Sequence, residues 1–143
     1  MTIAAILKGR EGQVISVTGD TVVADAIRLL ADKRIGALPV IEGDRIVGIF
    51  SERDVIYCLA TDGAGALTKR VAEVMTAPAH TVDPNQSVLG ALSMMTQRRF
   101  RHLPVVDSAD SLIGFVSIGD LVKFRIDKIE AEAAAMRDYI QTA

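Results

Sequence analysis

A seven-residue run, Gly48-Ile49-Phe50-Ser51-Glu52-Arg53-Asp54, returns as Gly114-Phe115-Val116-Ser117-Ile118-Gly119-Asp120, with Gly, two apolar residues, Ser and Asp at unchanged spacing. A chain that uses one pattern twice is constrained to fold as two copies of one unit. Leu38-Pro39-Val40 likewise recurs as Leu103-Pro104-Val105, an offset of 104 − 39 = 65, and Val17, Ala26 and Arg34 meet Val82, Ala91 and Arg99 at that same offset. Gly48 and Gly114 stand 66 apart, so one residue is added in the second turn, somewhere within Asp107-Ser108-Ala109-Asp110-Ser111, relative to the first turn around Glu42-Gly43-Asp44. An insertion confined to a turn, with register kept on both sides, is how a structural repeat diverges. Ahead of the two units, Ile3, Ile6 and Leu7 correspond to Val71, Val74 and Met75.

Each unit has the same order of elements. In the first, Val14 to Val17 is a short apolar strand, and a helix capped near Asp20 follows. Val23, Ala26, Ile27, Leu30 and Ala31 fall at i, i+3, i+4, i+7 and i+8, the stripe of a helix resting on a sheet. Gly36 is expected to end it. Ala37 to Ile41 and Arg45 to Phe50 form a hairpin about Gly43-Asp44. Ser51 starts a second helix running to about Ala60, released by Asp62-Gly63-Ala64-Gly65. The second unit repeats this with Val88, Ala91, Leu92 and Met95 as its stripe, and Pro78 makes the connection at Thr76 to Ala79 extended. A unit of about 60 residues buries too little surface to be secure alone, so the two are expected to bury their sheet faces on each other. The predicted architecture is α+β, with a first unit over 1–66, a second over 67–124 and a C-terminal helix over 120–143.

Composition excludes several functions. Net charge is −2, which gives no general attraction to a polyanion, and with four Phe, two Tyr and no Trp the chain is short of the aromatics that a base-stacking platform uses. Nucleic acid is therefore an improbable partner. Cys58 stands alone, so no disulfide forms within the chain, and its apolar neighbours make it a packed structural thiol in a reducing compartment. No apolar run approaches the ~18 residues of a membrane span, and the first residues lack a signal peptide's pattern. The expectation is a soluble, cytoplasmic protein without a membrane partner.

Ser51-x-x-Asp54 and Ser117-x-x-Asp120 are capping-box sequences, in which the two side chains satisfy orphan amides of the first helical turn. A ligand reading stands beside that one. A helix start offers free amides and partial positive charge to a phosphate, Asp can accept from vicinal ribose hydroxyls, and the Gly six residues earlier leaves room for a ligand at the backbone. His80 and His102 are too isolated for a metal site of the usual spacing, and no nucleophile-base order or Walker loop is present. No metal and no catalytic residue are predicted.

These residues carry a resemblance. Two strand-helix-strand-strand-helix units, each with a Leu-Pro-Val strand and a closing Gly-h-x-Ser-x-x-Asp, resemble a cystathionine-β-synthase (CBS) domain pair, or Bateman module, over roughly residues 3–124. The resemblance implies two pseudo-symmetric β-α-β-β-α units packed through their sheets. It also implies adenosyl ligands (AMP, ADP, ATP, NAD or S-adenosylmethionine) in two clefts between them, and regulation rather than catalysis. Carried onto this chain, one cleft would use Ser117 and Asp120 with Arg101 and His102, completed by Val14, Ile15 and Gly36. The other would use Ser51, Arg53 and Asp54 with Gly36 and Ala37, and with Ala79, His80 and Arg101 reaching across. Arg98 and Arg99 are read as charges complementing a helix C-terminus. If His102 meets phosphate, protonation near its ordinary pKa of about 6.5 strengthens binding. The family motif often has Thr where this chain has Ser twice, which loses the methyl that holds the rotamer, and Gly119 loosens the second turn.

Val122, Ile126, Ile129, Ala133, Met136 and Ile140 fall 4, 3, 4, 3 and 4 apart, an a/d seam outside the repeat. Two readings stand: a helix packed back on its own globule, or one that pairs with a second protomer in a homodimer. The function expected is a nucleotide-binding sensor reporting occupancy to a regulated partner protein by relative movement of its units. The rival is an interaction module with vestigial clefts that assembles through this last helix.

Overall fold

The computed structural model describes residues 1–142 apart from Glu11 and Gln13. The first unit contains β1 (Val17–Thr18), α2 (Val23–Lys33), β2 (Ala37–Glu42), β3 (Arg45–Ser51) and α3 (Glu52–Asp62), preceded by α1 (Ile3–Leu7). A 3-10 helix, Gly63–Thr68, and α4 (Val71–Val74) lead to the second unit, which has α5 (Val88–Arg98), β4 (His102–Val106), β5 (Leu112–Ser117) and α6 (Ile118–Thr142). The first sheet runs β1-β2-β3, with β1 parallel and β3 antiparallel to β2. The second is the β4-β5 hairpin, and Val82 pairs with Val105 in a single parallel bridge where β1 stands in the first unit. Both hairpins shift register at the same repeat position, between Val40 and Ile41 and between Val105 and Val106. The α+β architecture and the duplication are as the sequence predicts. The sheets meet where β3 and β5 begin: Arg45 bridges Ser111, and the Leu112 amide donates to the Asp44 carbonyl at 2.9 Å.

Several local expectations are corrected. The first strand is Val17–Thr18, not Val14 to Val17, because only those two residues find backbone partners on β2. The N-cap of α2 is Val22, with no side-chain cap, and the amide of Val23 donates to Lys69 instead. Asp20 is drawn off by Arg70, 3.0 Å away. Gly36 does not stop α2. Arg34 does, in the left-handed conformation at φ 53°, and Arg99 ends α5 the same way at φ 58°. Residues 63–65 do not release the chain but wind into the 3-10 helix, whose Ala66 is buried in the first core.

The cores explain why the units are inseparable. Each unit has its own apolar cluster, but the lead-in helices are exchanged between them. Ile3 and Ile6 of α1 lie in the cluster built by Val88, Ala91, Met95, Leu103, Val105, Val116 and Leu121 of the second unit. Val71 of α4 lies in the first unit's cluster, with Val23, Ala26, Leu30, Leu38, Val40 and Phe50. The backbone repeats the crossing, since Thr2 bridges Ser87 and Arg70 bridges Val22. By chain order α1 precedes the first unit and α4 the second, while in space each helix completes the core of the other unit. Cys58 is buried in the first core, its thiol donating to the Val55 carbonyl at 3.3 Å.

This crossing also gives the motif glycines a packing role. A Cβ on Gly48 would stand 2.6 Å from the Met75 sulfur and 2.9 Å from the Thr76 carbonyl oxygen, and one on Gly114 would stand 2.7 Å from a Leu7 methyl. Both glycines make room for the lead-in segments.

Candidate functional site

Each hairpin ends where a helix begins, so the β3–α3 and β5–α6 junctions present the two Ser-x-x-Asp motifs at the crevice between units. Both are capping boxes. The Ser51 amide donates to Asp54 Oδ2 at 2.8 Å and the Ser117 amide to Asp120 Oδ2 at 2.7 Å. In return the serine oxygens accept from the amides of Asp54 and Asp120, at 3.4 and 3.1 Å. The capping therefore uses one oxygen of each carboxylate, Oδ2, and leaves Oδ1 for another partner.

Two clefts open beside these junctions. The first, of about 740 Å³, is lined by Val14, Ile15, Gly36 and Ala37 from one unit and by His102, Phe115, Ser117 and Asp120 from the other, with Arg10 and Arg34 at its wall. The second, of about 550 Å³, is lined by Gly36, Ser51, Glu52, Arg53 and Thr76 and, across it, by Phe100, Arg101, His102, Ser117 and Gly119. Gly36, His102 and Ser117 face both clefts, forming a shared partition.

The structure brings together Val14, Ile15, Gly36, His102, Ser117 and Asp120, the group that the family resemblance implies. Ala37 lies on the first cleft rather than the second, and Arg101 on the second alone. Ser51 and Arg53 line the second, where Arg53 also donates to the carbonyl of Arg99 at 3.2 Å, capping α5 from the other unit. Asp54, Ala79 and His80 are not on either wall among the described residues. His80 instead stacks on Phe100, ring centroids 5.2 Å apart, with Arg98 beside it at 3.4 Å.

The two motif carboxylates differ in what holds Oδ1. Asp54 is buried, and Oδ1 accepts from the Thr76 hydroxyl at 2.8 Å. Thr76 is itself fixed by backbone bonds in both directions with Ile49, each 2.9 Å. Asp120 is about a third exposed, and its Oδ1 meets Nη2 of Arg10 at 2.8 Å. Burial pushes the Asp120 carboxyl up, but the Arg10 hydrogen bond, the Ser117 amide and the Arg10 charge together hold it below the ordinary carboxylate value. His102 stacks on Phe115, centroids 5.6 Å apart. Its burial, and then the Arg101 charge, lower its pKa, against smaller opposing effects of Asp120 and Glu52. Protonation, and any strengthening of phosphate binding that depends on it, is thereby moved below the ordinary value of about 6.5.

Sequence reasoning missed Arg10, Arg34 and Thr76. The repeat held a usable signal for Thr76, which follows Met75 as Lys8 follows Leu7. Arg10 lies 110 residues from Asp120 and carries no such mark. Among the described residues no three His, Cys, Asp or Glu side chains gather as a metal site, and no helix is long and apolar enough to cross a membrane.

Comparison with known proteins places this geometry. The family model of the CBS domain matches residues 11–61 and again 71–127. The CBS domain-containing protein CBSX3 of Arabidopsis thaliana is 32% identical over 98% of this chain and 72% of its own. A protein with CBS domains from Burkholderia ambifaria superposes with a TM-score of 0.82 at 44% identity, covering 89% of this chain and 95% of that one. CBSX2 of Arabidopsis thaliana, solved in complex with AMP, has a TM-score of 0.75 at 27% identity, covering 88% and 96%. With two motif copies, two crossed cores and two family matches that together span most of its length, the chain belongs to the CBS-domain family as a tandem pair.

Proposed function

We propose that this CBS pair is a regulatory module that binds an adenine nucleotide in its first cleft and passes that occupancy to a partner protein. The observation that carries the reading is Asp120. Its Oδ1 faces a cleft whose opposite wall, Val14, Ile15, Gly36 and Ala37, belongs to the other unit. A carboxylate there suits a ribose diol, the apolar wall suits adenine, and Arg10, Arg34 and His102 suit a phosphate. The AMP bound by CBSX2 supports the ligand class. The second cleft is a weaker candidate, because its carboxylate lies behind the wall and is held by Thr76.

A ligand that grips both units favours one placement of them over others. A micromolar ligand has about 8 kcal/mol of binding free energy, and only the part that differs between placements shifts the balance. Thermal unfolding with AMP, ADP, ATP, NAD and S-adenosylmethionine tests this. A ligand at 100 times its Kd stabilises by about 2.7 kcal/mol, roughly 5–10 °C for a chain of this size. Asp120→Asn is expected to abolish the shift. If no adenosyl ligand moves the midpoint at millimolar concentration, the reading is wrong.

A second reading is favoured by the exposure of α6. Beyond Phe124 the helix leaves the globule with Ile126, Ile129, Met136 and Ile140 between 48% and 67% exposed. In that reading the clefts are vestigial and assembly is the function. The two share one element, a homodimer formed through α6, and differ in whether a nucleotide changes anything.

A further inference from the structure

We propose that Arg10 is a latch on the ribose-reading carboxylate of the first cleft: a nucleotide lifts it off Asp120, and the freed guanidinium then takes the ligand's phosphate. The inference rests on the nucleotide reading above and names the ligand class within it, an adenosine bearing a 5′ phosphate in preference to adenosine itself.

The geometry of the latch is specific. Asp120 Oδ2 is committed to the Ser117 amide at 2.7 Å, so Oδ1 is the oxygen left for a diol, and Arg10 Nη2 occupies it at 2.8 Å. Arg10 Nη1 donates to the Phe115 carbonyl, also at 2.8 Å, which aligns the guanidinium along the mouth of the motif turn. The backbone behind Arg10 is anchored: Ile3 and Ile6 are in the second core, and Leu7 fills the space over Gly114. The side chain can therefore swing while its root stays at the cleft.

The other copy of the motif shows what a permanent closure looks like. Oδ1 of Asp54 is held by Thr76, whose short side chain hangs from a backbone bonded in both directions to Ile49. That backbone bridge keeps the donor beside a carboxylate that is buried and off the cleft wall. Arg10 is long, 40% exposed, and joined to Asp120 by an ion pair that water already screens. It also stays inside the cleft after release, where Asp120 is the sole carboxylate among the described lining residues. A guanidinium fork matches phosphate oxygens as well as it matches a carboxylate. Adenosine must break the latch with nothing in return. AMP breaks it and supplies a new partner.

Titration calorimetry of adenosine and AMP into the wild type and Arg10→Ala separates the possibilities. The variant should bind adenosine about two- to fivefold more tightly, the factor set by an exposed ion pair. It should bind AMP about tenfold less tightly, through loss of a charge-assisted bond to phosphate. Unchanged adenosine affinity with weakened AMP makes Arg10 an ordinary phosphate contact and overturns the latch. Weaker binding of both ligands makes it a structural support and overturns it equally. If neither ligand binds either protein, the nucleotide reading itself falls and takes the latch with it, an outcome recognisable because the wild type is then silent too.

Discussion

Asp54 accepts three hydrogen bonds, from the amide and hydroxyl of Ser51 and from Thr76, whereas Asp120 accepts from the Ser117 amide and from the guanidinium of Arg10. A buried carboxylate with every bond internal acts as a structural pin. Asp54→Ala should therefore lower the unfolding free energy by roughly 1–3 kcal/mol, since it strands the Thr76 hydroxyl and the Ser51 amide. It should leave ligand affinity at the first cleft within about twofold, because distant sites act independently. Urea unfolding beside titration would measure both, and lost affinity at unchanged stability would return Asp54 to the site. His102 carries a pH prediction. Its folded pKa lies below the unfolded value of about 6.5, so the unfolded chain binds the proton more readily. The stability of the neutral, half-buried ring is complete above 6.5 and declines as pH falls below it. Urea unfolding at pH 8, 6.5 and 5.5 should show a fall that is smaller in His102→Gln. An identical fall in that variant would exclude His102 as the cause.

At the scale of elements, the exchanged lead-in helices give Gly48 and Gly114 their purpose. Alanine at Gly48 would drive a methyl against the Thr76 carbonyl, which is held in the Ile49 bridge, as well as against Met75. At Gly114 the obstacle is the end of the Leu7 side chain, which can yield. Overpacking costs of about 1–3 kcal/mol follow, with Gly48→Ala at the upper end and Gly114→Ala at the lower. Leu7→Ala should relieve Gly114→Ala, giving a coupling energy in a double-mutant cycle. Strict additivity would show that Leu7 does not press there. The sequence made both the glycines and the correspondence of Leu7 with Met75 legible. It does not show that they meet, because the contact joins segments far apart in the chain.

For the whole molecule, α6 spans 25 residues, about 37 Å, and its first turns alone are packed. Leu121 is buried and Phe124 touches the second core, while the a/d positions from Ile126 onward face outward. The reading of α6 as a helix folded back on its own globule therefore does not describe it. Sedimentation at micromolar concentration should find a dimer, and Ile126→Glu with Ile129→Glu should give a monomer that still binds nucleotide. A wild-type monomer would remove both the dimer and the seam's role. Crossed cores also mean that the halves should unfold together, since α1 and α4 each complete the unit they do not precede.

The sequence by itself determined the duplication, the α+β order of elements and the two capping motifs, whereas the grouping of Val14, Ile15, Gly36, His102, Ser117 and Asp120 came through the resemblance to a CBS pair. Periodicity and local hydrogen bonding are encoded within a few residues, and a repeat doubles the signal. Only the tertiary structure decided that Arg34, not Gly36, ends α2, since the turn is set by where the following strand must join its sheet. It alone distinguished Asp54 from Asp120, two residues with the same motif around them. The partner of each carboxylate comes from the crossed lead-in segment, Thr76 at 22 residues and Arg10 at 110, and such long-range pairing leaves no mark in either local sequence.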